Sequence, residues 1–199
     1  MSIFNEIADD FRFYRELRTG RGFFAVLFDR SYLVCANYRY GHWASRVRAP
    51  LIGKLLRFAY IMSNVFVSAI TGTEIRSAAV LGKRPDFHTT FGLIIADGAV
   101  IGDDCTFNSG VCIVNKANGR GEGQPTIGDH VVFGVGCKVL GGITVGDHAV
   151  IGANAVVLHD VPAHHIAFGM PARNKPLATL KEKDGRNTET DLFGLKVRR

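Results

Sequence analysis

The chain has 199 residues, about the length of one domain. Apolar residues make up 47% and charged residues 21%, proportions that exclude a disordered chain, a collagen and a disulfide scaffold. The net charge of +6 is uneven: residues 1–57 carry ten Lys/Arg and five Asp/Glu, residues 58–172 six and nine, and residues 173–199 eight and four. No basic motif interleaved with aromatic residues is present, so no nucleic-acid partner is expected.

The N-terminus lacks the apolar segment and cleavage site of a secretory signal, so a cytoplasmic protein is expected. The longest apolar stretch, residues 58–70, is shorter than the roughly 20 residues of a membrane-spanning helix. The four cysteines show no CxxC spacing and are expected to be reduced core residues.

Three helices are predicted ahead of residue 72, over residues 3–17, 31–45 and 50–70. Pro50 suits the first turn of the third helix, because proline lacks the amide hydrogen that this position leaves unpaired. Residues 58–172 follow a different pattern, and a basic tail comes after them.

A period of six residues organises the middle of the chain. Neither an α-helix nor an amphipathic strand has this period, whereas three hexapeptides that close one triangular coil of about 18 residues do. Glycine directly follows many of the inward residues, and a second small or aliphatic residue lies four positions after each. The sequence therefore predicts a parallel β-helix. The inward residues are Ile75, Leu81, Phe87, Ile95, Ile101, Phe107, Ile113, Ile127, Phe133, Val139, Val145, Ile151 and Val157.

Two interruptions break this period. The step from Phe87 to Ile95 is eight residues, so the segment 88–93 contains two extra residues. The step from Ile113 to Ile127 is fourteen, and the glycine, asparagine and charge content of residues 114–125 predicts an extruded loop. Departures from a regular scaffold tend to carry function.

Five segments resemble the serine O-acetyltransferase-like branch of the hexapeptide-repeat acyltransferases. They are YRYGHW (38–43), EIRSAAVLG (74–82), GLIIADGAVIGDD (92–104), the long run 131–158 and VPAHHIAFGMPAR (161–173). The resemblance extends over residues 74–173 without a gap, about half the chain. The helical lead-in is shorter than in true serine acetyltransferases.

The resemblance implies a left-handed β-helix that assembles as a homotrimer or a dimer of trimers. It also implies acetyl-CoA as co-substrate, bound between neighbouring β-helices, and no metal. We accordingly divide the chain into an N-terminal helical region (1–72), a β-helix acyltransferase domain with the extruded loop 114–125 (73–172) and a basic tail (173–199). A histidine would act as general base, since a hydroxyl is a poor nucleophile until its proton is removed.

The resemblance assigns the catalytic pair with one departure. Glu74 takes the position of the carboxylate that orients the base. Thr89 takes the position of the catalytic histidine, and His88 precedes it by one residue. We assign the base to His88, because the irregular segment that it opens absorbs the offset, and we assign Thr89 to acceptor binding.

A second difference from true serine acetyltransferases bears on which molecule accepts the acetyl group. Gln124 stands before Pro125 where true serine acetyltransferases carry a histidine that holds serine. Glutamine forms hydrogen bonds but cannot bind a carboxylate as a cation does. A sugar or exopolysaccharide hydroxyl is therefore the expected acceptor, with L-serine as the alternative. Asn108 is a further candidate for acceptor recognition.

The candidates for acetyl-CoA are mainly backbone groups, which lie along the coil edges that contact pantetheine in the family. Arg173 and Lys175 are placed to meet the CoA phosphates. The backbone candidates are Gly134, Val135, Gly136, Gly152 and Ala153.

Three rival interpretations remain. His130 and His148 lie one coil apart and should stack as in a zinc hydratase, but no third histidine falls in register and no metal is expected. A non-catalytic scaffold or binding subunit is the second rival. The third is contact of the apolar helix after Arg46 and Arg48 with a membrane surface, and packing within a trimer is expected instead.

Overall fold

A computed structural model of the chain describes residues 3–17, 23–115 and 123–179. The three helices predicted from the sequence are confirmed, and the short α2 lies where no element was predicted. The helices are α1 (Ile3–Leu17), α2 (Phe23–Leu27), α3 (Arg30–Arg46) and α4 (Pro50–Thr71).

Local signals fix the ends of α3 and α4. The Asp29 carboxylate accepts a hydrogen bond from the Ser31 amide at 2.9 Å, which satisfies an otherwise unpaired amide at the start of α3. Pro50 begins α4, and Gly72 ends it in the left-handed conformation with a φ of 63°. The first strand follows directly at Glu74.

Short strands of two to four residues form the β-helix. They are β1 (Glu74–Ile75), β2 (Val80–Leu81), β3 (Asp86–Phe87), β4 (Ile94–Ile95), β5 (Val100–Ile101), β6 (Thr106–Phe107), β7 (Cys112–Val114), β8 (Thr126–Ile127), β9 (Val132–Phe133), β10 (Lys138–Leu140), β11 (Thr144–Val145), β12 (Val150–Ile151), β13 (Val156–Val157), β14 (His165–Phe168) and β15 (Arg173–Pro176).

Three sheets run the length of the solenoid. Sheet A contains β1, β4, β7, β10 and β13; sheet B contains β2, β5, β8 and β11; sheet C contains β3, β6, β9, β12 and β14 in parallel, with β15 antiparallel at its end. From β1 to β13, consecutive strands occupy the three sheets in turn, so each strand pairs with the strand one coil away. In the last coil, an isolated bridge between Val145 and Val161 takes the place of a strand in sheet B. The predicted fold is confirmed: a left-handed parallel β-helix of hexapeptide repeats with a helical region ahead of it.

The core follows the six-residue period. The second residue of each two-residue strand is buried, and these inward side chains form one continuous cluster. Phe87, Phe107 and Phe133 stack through three coils, with ring centroids 5.3 and 5.1 Å apart. Removal of these side chains from water is the main favourable contribution to folding.

Buried polar contacts attach the helices to the first coil. The Arg39 guanidinium donates to the Asp10 carboxylate at 2.9 Å and to the carbonyls of Leu81 and Gly82 at 2.9 and 2.6 Å. The Tyr38 hydroxyl donates to the Ala79 carbonyl at 2.8 Å. Because Arg39 and Asp10 are both buried, each depends on the other to offset its desolvation.

Helix α4, unlike the core of the β-helix, leaves most of its apolar side chains exposed within the single chain. It is the one described helix long and apolar enough, by length and composition, to cross a membrane, and only 6% of its most apolar 18-residue window is buried. The 13-residue stretch 58–70 considered from the sequence is therefore part of a longer helix. Within the single chain, α4 leaves Leu51 82% and Leu55 68% exposed.

The cysteines are free thiols in the described residues, as expected from their spacing. Cys35, Cys105 and Cys137 are buried, and burial raises the pKa of Cys105 and of Cys137 to about 12. Cys112 is only half-buried, and its smaller desolvation still raises its pKa.

These raised pKa values predict slow alkylation of the native protein. A raised thiol pKa lowers the thiolate fraction at mildly alkaline pH, and the thiolate is the nucleophile. Iodoacetamide should label Cys112 first and label Cys105 and Cys137 only as the pH rises toward their pKa values or after unfolding. Peptide mass spectrometry measures the order, and rapid labelling of Cys105 in the native state would contradict it.

The buried ion pair gives a stability prediction. Asp10→Ala leaves the Arg39 charge buried without its carboxylate, and the free energy of unfolding should fall by about 3–5 kcal/mol. Arg12→Ala on the same helix breaks only an exposed pair with Asp9, so it should cost less than about 1 kcal/mol. Urea denaturation followed by circular dichroism compares the two, and equal losses would argue against the anchoring role.

Candidate active site

One edge of the β-helix collects most of the residues that the sequence singles out. We call it the C–A edge, because its residues join a strand of sheet C to the next strand of sheet A. The strand register stacks the residues that directly follow sheet C in one column, and the residues after them in a second. The first column is His88, Asn108, Gly134 and Gly152; the second is Thr89, Ser109, Val135 and Ala153.

Backbone geometry explains the small residues on this edge. Gly92, Gly110 and Gly136 have φ of 71°, which favours glycine. A Cβ on Gly134 would lie 2.6 Å from the Ala153 nitrogen and 2.8 Å from the Ile151 oxygen, too close for any side chain. The glycines therefore permit close stacking of the coils along this edge.

Asn108 has a structural contact inside this column. Its side chain is buried and its Nδ2 donates to the Phe133 carbonyl at 2.8 Å. The amide therefore ties one coil to the next, and a role in acceptor recognition stays a prediction.

The irregular segment 88–93 lies at the first coil of this edge. The His88 amide donates to the Phe107 carbonyl at 2.9 Å, which keeps the backbone in register, and its side chain is exposed. Across the described residues, the His88 ring makes no hydrogen bond or ion pair. The imidazole is thus accessible to a substrate at the edge.

Thr89 is held by a neighbour that sequence reasoning missed. Its Oγ1 lies 2.9 Å from the Ser109 Oγ and accepts a hydrogen bond from the Ser109 amide at 2.7 Å. Each residue lies two positions after an inward phenylalanine, and that spacing is the signal that could have found Ser109. The contact positions Thr89 as part of the coil stack.

Glu74 lies on the sheet A side of the same edge. Its amide donates to the Leu93 carbonyl at 2.8 Å, at the far end of the irregular segment. Its carboxylate accepts from the Arg76 guanidinium at 3.1 Å, with both side chains about half exposed. The structure therefore brings Glu74 to the segment that contains His88 and pairs its carboxylate with Arg76.

Gln124 lies on a different edge, which joins sheet A to sheet B. Its Cγ would be 2.7 Å from a Cβ built on Gly98, which lies on that same edge one coil earlier. All of sheet A separates this A–B edge from the C–A edge. A single chain therefore does not bring Gln124 and His88 together.

The basic residues Arg173 and Lys175 lie on β15, the antiparallel strand at the end of sheet C. Arg173 lies opposite Phe168 in the β14–β15 pair, beside the last coil of the C–A edge. Lys175 is exposed, and its Nζ lies 5.2 Å from the centroid of the Phe168 ring. Both cations thus lie at the end of the glycine-lined edge.

Stacked histidines occupy the third edge, between sheets B and C. His130 and His148 stack with centroids 4.7 Å apart, as expected, and His164 adds a third ring at 4.9 Å. The expectation that no third histidine falls in register is therefore wrong, because the last coil advances by 16 residues. The planes are within 9° of parallel, so the nitrogens do not converge, and the described residues contain no His, Cys, Asp or Glu group suited to a metal.

Comparison with known proteins identifies the family. Residues 124–159 match the bacterial transferase hexapeptide (six repeats) family. A serine acetyltransferase from Synechococcus elongatus is 34% identical over 173 residues, 86% of this chain and 68% of the relative. The chain belongs to the serine acetyltransferase-like hexapeptide-repeat acyltransferases. The resemblance inferred from the sequence, and the expectation of an acyltransferase, are confirmed.

Solved structures agree with this assignment. Soybean serine acetyltransferase complexed with serine has a TM-score of 0.74 and 28% identity, over 87% of this chain and 70% of the soybean chain. The Brucella abortus serine acetyltransferase in complex with coenzyme A has a TM-score of 0.71 and 27% identity, over 87% and 67%. The acyltransferase thus spans about two thirds of the length of the relatives that it matches.

These findings overturn the acceptor expected from the sequence. A sugar or exopolysaccharide hydroxyl, and a role in polysaccharide biosynthesis, are wrong, because the relatives and the structural neighbours are serine acetyltransferases. The sugar expectation rests on Gln124 alone. Gln124 is one residue on an edge that a single chain does not join to His88, so its identity alone does not decide the acceptor.

Close stacking along the C–A edge of the acyltransferase gives a prediction. Gly134→Ala forces a Cβ against two backbone atoms, so it should lower the free energy of unfolding by about 1–3 kcal/mol. Gly123→Ala is the matched control, because its Cβ meets nothing closer than the Gly142 Cα at 3.9 Å. Urea denaturation measures both, and a neutral Gly134→Ala would show that the coils separate easily at this edge.

Proposed function

We propose that this acyltransferase transfers the acetyl group of acetyl-CoA to the hydroxyl of L-serine. The match to a serine acetyltransferase over 86% of the chain carries the proposal. A structural neighbour with serine bound supports the same acceptor. The acceptor is accordingly a small molecule.

Acetyl-CoA is the acyl donor. Backbone groups of the C–A edge are the proposed contacts for the pantetheine arm. Gly134 and Gly152 are buried in the coil stack, whereas Val135 and Ala153 beside them are exposed. Arg173 and Lys175, both exposed at the end of the same edge, are the proposed partners of the CoA phosphates. The neighbour solved with coenzyme A supports a CoA site in this fold.

His88 is the proposed general base. Its neutral imidazole accepts the proton of the serine hydroxyl while the serine oxygen attacks the carbonyl carbon of the thioester. The C–S bond of the tetrahedral intermediate then breaks, and the imidazolium returns the proton to the CoA sulfur. The products are O-acetylserine and CoA, with no net change at the enzyme.

The remaining site residues stay proposals. Glu74 is the proposed carboxylate that positions the base, because its backbone contacts the far end of the segment that His88 opens. Thr89 and Asn108 are proposed at the acceptor side of the same edge. Gln124 would reach the site only from a neighbouring chain, since sheet A separates the two edges within one chain.

This separation supports a homotrimer, alone or as a dimer of trimers, with one site at each interface. We propose residues 1–72 as the helical region, 73–172 as the catalytic domain and 173–199 as the basic tail, of which the structure describes the part up to residue 179. The loop 114–125 lies partly outside the described residues. A cytoplasmic location fits a CoA-dependent enzyme and is likewise proposed.

A non-catalytic scaffold is the second candidate. One observation favours it: Thr89 stands where the family carries its catalytic histidine and is held by Ser109. A chain that binds no CoA and releases no CoA thiol with serine would support the scaffold.

The catalytic prediction concerns the two adjacent positions. His88→Ala should lower kcat with L-serine by about 10²–10⁴-fold, because proton removal from the hydroxyl loses its general base. Adding Thr89→His to His88→Ala should not restore the rate, since position 89 belongs to the contact with Ser109. Release of the CoA thiol, followed with a chromogenic disulfide, measures all variants.

His130→Asn serves as the control, because it removes an imidazole from the B–C edge at a position where φ is 56° and asparagine is tolerated. It should retain wild-type turnover. Recovery of activity in the double variant would show that the residue at position 89 can act as the general base. Normal kcat in the His88→Ala variant would show that His88 is not the general base.

A further inference from the structure

Helix α4 packs on the protein through a mixed face that includes Tyr60, Ser63, Asn64 and Val67. Asn37 of α3 donates from Nδ2 to the Asn64 Oδ1 at 3.0 Å, and its Oδ1 accepts from the Ser63 hydroxyl at 2.8 Å. The Tyr60 ring lies over Gly41, where a Cβ would be 2.2 Å from it. These contacts fix which face of α4 is turned inward.

The opposite face is apolar and uncovered within the chain. Its side chains recur at helical spacing along the full 22 residues, about 33 Å. A continuous apolar surface of this size is uncommon on a protein that works alone in water. The stripe consists of Leu51, Ile52, Leu55, Phe58, Ile61, Met62, Val65, Phe66 and Ile70, each at least 44% exposed.

Cations border the N-terminal half of this stripe. Lys54 lies three residues after Leu51 and four before Phe58, so it lies at the border of the apolar face. Arg46, Arg48 and Arg57 are exposed nearby in the sequence. None of these four makes an ion pair with any residue that the structure describes.

The charge pattern extends beyond the helix. Residues 30–73, which include all of α3 and α4, contain no Asp or Glu. Lys and Arg with long apolar stems can lie on an apolar surface while their charges reach anionic groups. The charged residues of α4 itself are Lys54 and Arg57, both cations, and a broad apolar face next to cations complements a bilayer that displays anionic headgroups.

We propose that α4, instead of packing within a trimer as expected from the sequence, lies flat on an anionic lipid bilayer, with its apolar stripe among the acyl chains and Lys54 and Arg57 at the headgroups. Spanning is disfavoured, because α4 is hydrogen-bonded to α3 and would carry the buried Arg39–Asp10 pair toward the hydrocarbon. Contact of two α4 helices would bring these cations near each other without an acidic residue from either helix. The surface would hold the enzyme at the membrane whatever its acceptor.

Vesicle flotation of the full chain tests this proposal without any acyl transfer. The wild type should float with vesicles of phosphatidylglycerol and phosphatidylcholine and should not float with phosphatidylcholine alone. Phe58→Asp should abolish flotation, since a charge would enter the acyl region. Lys54→Gln with Arg57→Gln keeps the stripe intact and should lower partitioning roughly 25-fold, at about fivefold per cation.

The control is Arg12→Gln with Lys83→Gln, which removes the same two residue types from exposed positions outside α4. It should float like the wild type. The proposal is overturned if the wild type does not float with anionic vesicles, or if the Lys54/Arg57 variant floats with them to the same extent as the wild type. It is equally overturned if Phe58→Asp dissociates a lipid-free oligomer in analytical ultracentrifugation, because the stripe would then be covered by a second copy.

Discussion

The fold depends on coils that stack in register, because strands of two to four residues form too few hydrogen bonds to persist alone. Each strand pairs with the strand one coil away, and each inward side chain meets its counterpart in the next coil, as Phe87, Phe107 and Phe133 do. A six-residue repeat satisfies both requirements at once. Extra residues must therefore leave the solenoid at an edge, where no strand pairing is lost.

This constraint decides where chemistry can occur. The regular edges carry glycine and stacked polar residues, which the coil itself uses. The two insertions fall on the two edges that flank sheet A: the segment 88–93 with its exposed histidine, and the loop before Gln124. Because sheet A separates them, a neighbouring β-helix is the simplest way to join them into one site. The same assembly must leave α4 free for the lipid surface that its charge pattern favours.

The sequence predicts the repetitive part of the structure well, since periodicity reports directly on which side chains point inward. The strands from β1 to β13, the three long helices and the His130–His148 stack follow from the sequence pattern, whereas the short α2 does not. Contacts between particular side chains are not predictable from periodicity. Examples are the ion pair of Glu74 with Arg76 and the hydrogen bond between Ser109 and Thr89. Helical periodicity likewise shows that α4 has an apolar face, but Asn37, Ser63 and Asn64 decide that this face points outward. The acceptor is not predictable from Gln124 alone, because one side chain does not define a pocket that draws on two edges of the β-helix.

The central claim is that an exposed histidine on a glycine-lined edge of the β-helix directs an acetyl group to serine. Product analysis tests it most directly, with acetyl-CoA isotopically labelled in the acetyl group, unlabelled L-serine and the full chain. The account predicts that nuclear magnetic resonance will show the label moving into an ester on the serine oxygen as CoA accumulates. Label that remains in acetyl-CoA, or that appears only as free acetate, would contradict it.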